Sequence, residues 1–133
     1  MIDAKPIVIV IDDDPSILRA LRRLISGAGF DVRVFDRPSE LLKDDLPKTD
    51  ACLVVDIHLP EMNGVELCET LGASGCRLPV VLITAQAGDE TNSLALSAHP
   101  VALLIKPFRR AELVNSIQIA LSTGEKFVRK FQN

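Results

Sequence analysis

Residues 7–18 read "IVIVIDDDPSIL": five β-branched apolar residues run straight into Asp12, Asp13 and Asp14, and then a proline. The apolar run is a strand built for burial on both faces, and its abrupt end in acids fixes where solvent begins. Two carboxylates about 4 Å apart repel by roughly 4 kcal/mol at an effective dielectric of about 20. Such a cluster is tolerated when it is solvated, when it takes up protons, or when a cation neutralises it. Asp14 followed by Pro15 has the form of a helix N-cap and first helical residue. A buried strand, a short acidic turn and a helix are therefore encoded within twelve residues.

Working outward, the same strand-then-helix pattern repeats. Apolar runs stand at "VRVF" (32–35), "CLVV" (52–55), "VVLIT" (80–84) and "VALLI" (101–105), and the alternation in "VRVF" suits an edge strand. In the first helix Ile17, Leu18, Leu21, Leu24 and Ile25 share a face opposite Arg19, Arg22 and Arg23, and Gly27 and Gly29 end it. Further helices are expected from Pro38, after Gly64 ("VELCETL"), over roughly 88–98, and from near Arg109 with Leu113, Ile117, Ala120 and Leu121. This alternation predicts an α/β fold, a doubly wound parallel sheet of five strands with five helices. Ligands in such sheets sit beyond the carboxyl ends of the strands. The residues expected at those ends are Asp12, Asp13 and Asp14, then Asp56, Thr84 and Lys106.

Composition narrows the functional classes. The chain has 133 residues, 47% hydrophobic and 25% charged, the size and balance of a single globular domain. Cys52, Cys68 and Cys76 form no CxxC pair, which argues against disulfides and zinc. The formal charge of −3, with five Phe and no Trp or Tyr, offers neither a basic footprint nor a stacking platform for nucleic acid. No apolar stretch approaches the ~18 residues of a membrane span, and charges interrupt the first residues where a signal peptide is apolar. The expectation is a cytoplasmic protein with no membrane contact and no direct nucleic-acid binding by this domain.

Acids, one ammonium and one hydroxyl suit a hard divalent cation together with a phosphoryl group. Mg²⁺ takes carboxylates, water and phosphate oxygens, and Mn²⁺ is able to replace it. A carboxylate can then attack phosphorus while Lys106, Thr84 and the N–H of Ala85 hold the equatorial oxygens.

"IVIVIDDDPSILRAL", "CLVVDIHLPEMNGVEL", "PVVLITA" and "LLIKPF", in this order, resemble the receiver domain of two-component response regulators, most closely receivers that precede a helix-turn-helix transcriptional output domain. The resemblance covers about residues 7–121 and implies the flavodoxin-like strand order 2-1-3-4-5. It implies a receiver domain over 1–122, with 123–133 a tail or the start of a linker. Asp56 would be the phosphoacceptor for a sensor histidine kinase or phosphotransfer protein. Asp13, Asp56 and the backbone carbonyl of His58 would hold Mg²⁺, with Asp12 acting through a metal-bound water. Thr84 and Lys106 match the family's hydroxyl and lysine, and Pro107 its cis-proline position. The implied protein is a regulator with intrinsic self-phosphorylation and autodephosphorylation rather than a dedicated enzyme.

The sequence departs from the family where Leu103 stands in place of the usual Tyr or Phe of the switch, three residues before the lysine. His58 and Gln86 follow the acceptor and the hydroxyl residue by two positions and are candidates for setting phosphoryl lifetime. In "DETNSLALSA" (89–98) Leu94 and Leu96 point to opposite sides of a helix, so both cannot enter one core face. The exposed one suggests a homodimer through the fourth helix, fifth strand and fifth helix. In the tail "TGEKFVRKFQN", Phe127 and Phe131 fall four apart beside Lys126, Arg129 and Lys130.

Two readings compete. An unphosphorylated receiver-like interaction module would usually lack part of the acid set, which is complete here. A haloacid dehalogenase-type phosphatase would use Asp12 as nucleophile and Asp14 as acid. It needs a later acidic pair, whereas only Glu112 and Glu125 follow Lys106.

Overall fold

The structure is a computed structural model that describes residues 5–132 except residue 87, with backbone alone for 124–132. Five strands alternate with five helices: β1 (Ile7–Ile11), α1 (Pro15–Gly27), β2 (Asp31–Phe35), α2 (Pro38–Lys43), β3 (Ala51–Asp56), α3 (Gly64–Ala73), β4 (Val80–Thr84), α4 (Asp89–Leu96), β5 (Ala102–Ile105) and α5 (Arg110–Gln132). All pairings are parallel, as the alternation predicts, and the order is β2-β1-β3-β4-β5, as the family resemblance implies.

The apolar runs form strands because helices cover both faces of the sheet, and the period-2 alternation sorts their residues. Ile9, Ile11, Leu53, Val55 and Leu82 point to one side, where Leu41 of α2, Leu67 and Leu71 of α3 and Ala95 of α4 close the core. Val8, Val10, Cys52, Val54, Val81 and Ile83 point to the other, against Leu18, Leu21 and Ile25 of α1 and Leu113, Ile117 and Ala120 of α5. Each fully buried Val, Leu or Ile among these contributes about 1.5–3 kcal/mol toward folding. β2 is an edge strand with no fully buried residue, as the alternation in "VRVF" predicts.

Helix ends follow their local chemistry. Asp14 caps α1 by accepting from the Ser16 and Ile17 amides, with Pro15 as first helical residue. Asn63 and Glu66 form a reciprocal capping box on α3, a signal legible in "NGVE" that the sequence reading passed over. Leu94 and Leu96 differ from expectation. Neither is buried (36% and 71% exposed), because the eight-residue α4 presents Ala95 to the core between them. α5 runs through the boundary expected at 122/123 without a break in the backbone helix. The amphipathic reading of Lys126, Phe127, Arg129, Lys130 and Phe131 concerns side chains outside the described residues.

Register then builds the functional edge. Ile11 pairs with Val55 and with Phe35, Asp56 with Ile83, and Thr84 with Ile105. Parallel strands in this register finish together, so Asp12, Asp56, Thr84 and Lys106 arrive at one edge. Among the described residues no helix is long and apolar enough to cross a membrane.

Candidate functional site

Asp12, Asp13 and Asp56 converge beyond β1 and β3. Each offers a carboxylate oxygen within 4.8 Å of the others. Asp12 and Asp56 are buried whereas Asp13 is exposed, so the cluster opens to solvent on the Asp13 side. Lys106 enters from β5: its Nζ lies 2.7 Å from Asp12 Oδ2 and 3.4 Å from Asp56 Oδ2. The other oxygen of Asp12 accepts the Asp14 amide at 3.0 Å, and that of Asp56 accepts the His58 amide at 3.1 Å. Asp14 itself faces the helix it caps, as its position before Pro15 predicts.

The electrostatics are unbalanced. Burial lifts the Asp56 carboxyl above the ordinary aspartate value; the His58 N–H opposes this, Asp12 adds to it, and Lys106 opposes it. Burial works against the Lys106 ammonium, but Asp12 and Asp56 outweigh it and hold its pKa above the ordinary lysine value. Among the described residues the Lys106 ammonium is the cation paired with this cluster, and it meets two of the three carboxylates; the donors are all hard oxygens at mutual distances that a small divalent cation can span. The residues therefore fit Mg²⁺ or Mn²⁺. No deficit of hydrogen bonding needs to be invoked: among the described residues no buried side-chain N or O lacks a partner.

Thr84 is fully buried at the end of β4. Its Oγ1 donates to the Gln86 carbonyl at 3.1 Å and accepts the Gln86 amide at 3.0 Å, so the hydroxyl is held by its own loop. Ala85 and Gln86 are exposed beside it. The His58 side chain is exposed at the mouth of the site. The Lys106–Pro107 peptide is cis. Leu103 is half-buried on β5 and packs with the core beneath α3 and α4.

Two residues with structural consequences escaped the sequence reading in whole or part. Gly64 marks only a helix start in the sequence; in the structure a Cβ on it would overlap the Asp56 carbonyl and the Val55 side chain. Glu61 carried no sequence signal. It adopts φ 69°, and its carboxylate reaches Ser39 on α2, a pairing that only the tertiary fold creates.

Comparison with known proteins agrees with this geometry. The family described as the response regulator receiver domain matches residues 8–118. The response regulator protein TodT of Pseudomonas putida is 31% identical over 121 residues, covering 91% of this chain and 53% of that protein. The DNA-binding response regulator MtrA of Mycolicibacterium smegmatis is 31% identical over 118 residues, covering 89% and 51%. The chain thus spans about half the length of the relatives it matches. Among solved structures, the response regulator StyR superposes with a TM-score of 0.85 at 37% identity, covering 97% of this chain and 66% of that one. A CheY-like receiver domain protein from Methanospirillum hungatei gives a TM-score of 0.81 at 25% identity, covering 93% and 98%. By sequence match, strand order and superposition together, the chain belongs to the receiver domain family of two-component response regulators.

Proposed function

We propose that this domain is a phosphorylatable switch in which Asp56 accepts a phosphoryl group from a phosphohistidine on a sensor kinase or phosphotransfer protein. The observation that carries the reading is Lys106 Nζ poised between Asp12 and Asp56, at 2.7 and 3.4 Å, beside the exposed carboxylate of Asp13. In the step, an Asp56 oxygen attacks phosphorus and the P–N bond breaks with its electron pair passing to the imidazole. Lys106 remains as the point charge on the transferred oxygens. Thr84 releases its bonds to Gln86 and turns its hydroxyl toward the phosphoryl group, with the Ala85 N–H as a second donor. Asp13, Asp56 and the His58 carbonyl would hold Mg²⁺, or Mn²⁺ in its place, with Asp12 acting through water, and the bound ion would supply charge neutralisation to the acids and the phosphoryl oxygens.

Movement of Thr84 would shift the population between two arrangements of the α4–β5–α5 face. With Leu103 in the pocket that the family fills with an aromatic ring, that shift proceeds by packing alone. His58 and Gln86 border the phosphoryl position and would set its lifetime through water access. Leu94, Leu96 and Ile105 are exposed on this face, which favours a homodimer formed through it. The names of the relatives favour a transcriptional output, with the receiver over residues 1–122 and 123–133 leading toward the remainder.

Fluoroberyllate, a stable phosphoryl mimic, tests this reading. With Mg²⁺ present it is expected to raise the melting temperature of the wild type and leave Asp56→Asn unmoved. No shift in the wild type, or an equal shift in both, contradicts it. The molar mass of the same complex reports on the dimer, and monomers throughout would remove that part.

A further inference from the structure

The segment between Asp56 and α3 is shaped more tightly than its sequence requires. The Gly64 amide donates to the Ile57 carbonyl at 2.7 Å and closes the loop at its base. At its tip the Met62 amide donates to the Pro60 carbonyl at 2.7 Å, around Glu61 at φ 69°. A three-residue turn with a left-handed centre is rare, and a non-glycine residue holds it only when the surroundings insist. The surroundings here are specific. Leu59 and Met62 pack into the core beneath α2 and α3. Glu61 Oε1 accepts the Ser39 amide at 3.0 Å, and Oε2 accepts the Ser39 hydroxyl at 3.1 Å. Helix α2 lacks a cap of its own, since the side chain of Arg37 at the N-cap makes no capping bond. Glu61 therefore provides, from another part of the chain, the carboxylate that this helix start is missing. Among the described residues these two bonds are the hydrogen-bonded link between the loop and another helix.

We propose that Glu61 is a positioning residue for the acceptor site. Its carboxylate latches the Asp56–Gly64 loop onto the first turn of α2, and the latch sets how tightly the acid cluster holds a divalent cation. This rests on the reading above in which that cluster and the His58 carbonyl bind Mg²⁺ or Mn²⁺. His58 lies three residues before Glu61 on the same closed loop, and its amide already fixes one oxygen of Asp56. Release of the tip lets the left-handed turn relax, and the backbone from Ile57 to Pro60 moves with it. The direction of the Asp56 carboxylate and of the His58 carbonyl then becomes variable. A cation would have to restore the order on binding, which weakens its affinity.

Mn²⁺ alone is the probe, titrated with free ion followed by electron paramagnetic resonance. Four variants are compared with wild type: Glu61→Ala, Glu61→Gln, Ser39→Ala and the Glu61→Ala/Ser39→Ala double variant. Loss of two exposed hydrogen bonds is expected to weaken Mn²⁺ binding about 3- to 10-fold in Glu61→Ala, and Ser39→Ala, which keeps the amide bond, by about 2-fold. Glu61→Gln retains an oxygen for the Ser39 amide and is expected to stay near wild type. The double variant is expected to match Glu61→Ala alone. Melting in chelator separates this from simple capping: a lower melting temperature with unchanged Mn²⁺ affinity in Glu61→Ala would overturn the proposal. Equal weakening in Glu61→Gln and Glu61→Ala would also overturn it, because the charge and not the latch would then be responsible. Failure of the wild type to bind Mn²⁺ more tightly than Asp56→Asn would instead sink the underlying reading, and the latch with it.

Discussion

The α-carbon of Gly64 packs against the Asp56 carbonyl so closely that a Cβ at residue 64 would overlap its oxygen and the Val55 side chain. The first residue of α3 is thereby the back wall of the strand end that carries the acceptor. The neighbour at fault is backbone, which cannot rotate away. Gly64→Ala is expected to destabilise the fold by about 2–3 kcal/mol, the scale of an overpacked core position. Urea unfolding checks this, and a cost within experimental error of zero would show that α3 moves freely relative to β3.

The raised Asp56 pKa has a pH signature. Its first cause is burial, with Asp12 adding repulsion. A carboxyl that holds its proton more firmly when folded favours folding at low pH. Its contribution is complete below the ordinary aspartate value and falls as pH rises through the raised value. Above the raised value, without metal, the penalty is fully expressed. Asp56→Asn keeps an oxygen for the His58 amide and leaves Lys106 its 2.7 Å partner Asp12. It is expected to raise metal-free stability by about 1 kcal/mol at neutral pH, and the gain should shrink as pH falls toward the ordinary aspartate range. Thermal melts at several pH values provide the check. A loss of stability at neutral pH would mean that attraction to Lys106 outweighs burial.

Lys106, with its side chain mostly buried against Asp12 and Asp56, is expected to matter to chemistry as well as to structure. Lys106→Ala removes the ammonium aimed at Asp56 and should slow phosphoryl acceptance by about 10²-fold or more. Lys106→Arg should rescue little, since a planar fork does not replace a point charge wedged between two carboxylates. The initial rate with a small acyl phosphate measures both. A rate near wild type in Lys106→Ala would leave the ion pair a structural feature only.

Much of the fold was legible because the code for it is local. "IVIVI" followed by Asp, and "VVLIT" followed by a small exposed residue, state both burial and strand end within a few letters. Parallel register carries those ends to one edge, so Asp12, Asp56, Thr84 and Lys106 could be grouped before any coordinates. Local sequence does not encode which oxygen meets which cation. Lys106 lies nearer to Asp12 than to Asp56 although β5 is farther from β1 than from β3 in the strand order, so strand order alone does not signal the pairing. Periodicity ruled out burying Leu94 and Leu96 together, yet it could not show that Ala95 would take the core position. The Glu61–Ser39 pair spans 22 residues and depends on α2 lying beside the acceptor loop, so no spacing rule signals it.

The proposed phosphorylation of Asp56 is covalent and is tested by trapping. The protein is incubated with Mg²⁺ and a small acyl phosphate, then treated with borohydride, which reduces an aspartyl phosphate to homoserine, and the peptides are mapped by mass spectrometry. Homoserine is expected at residue 56, dependent on Mg²⁺ and absent from Asp56→Asn. Wild-type protein that stays unmodified with metal and donor present, or that carries the label at Asp12 or Asp13 instead, would contradict it.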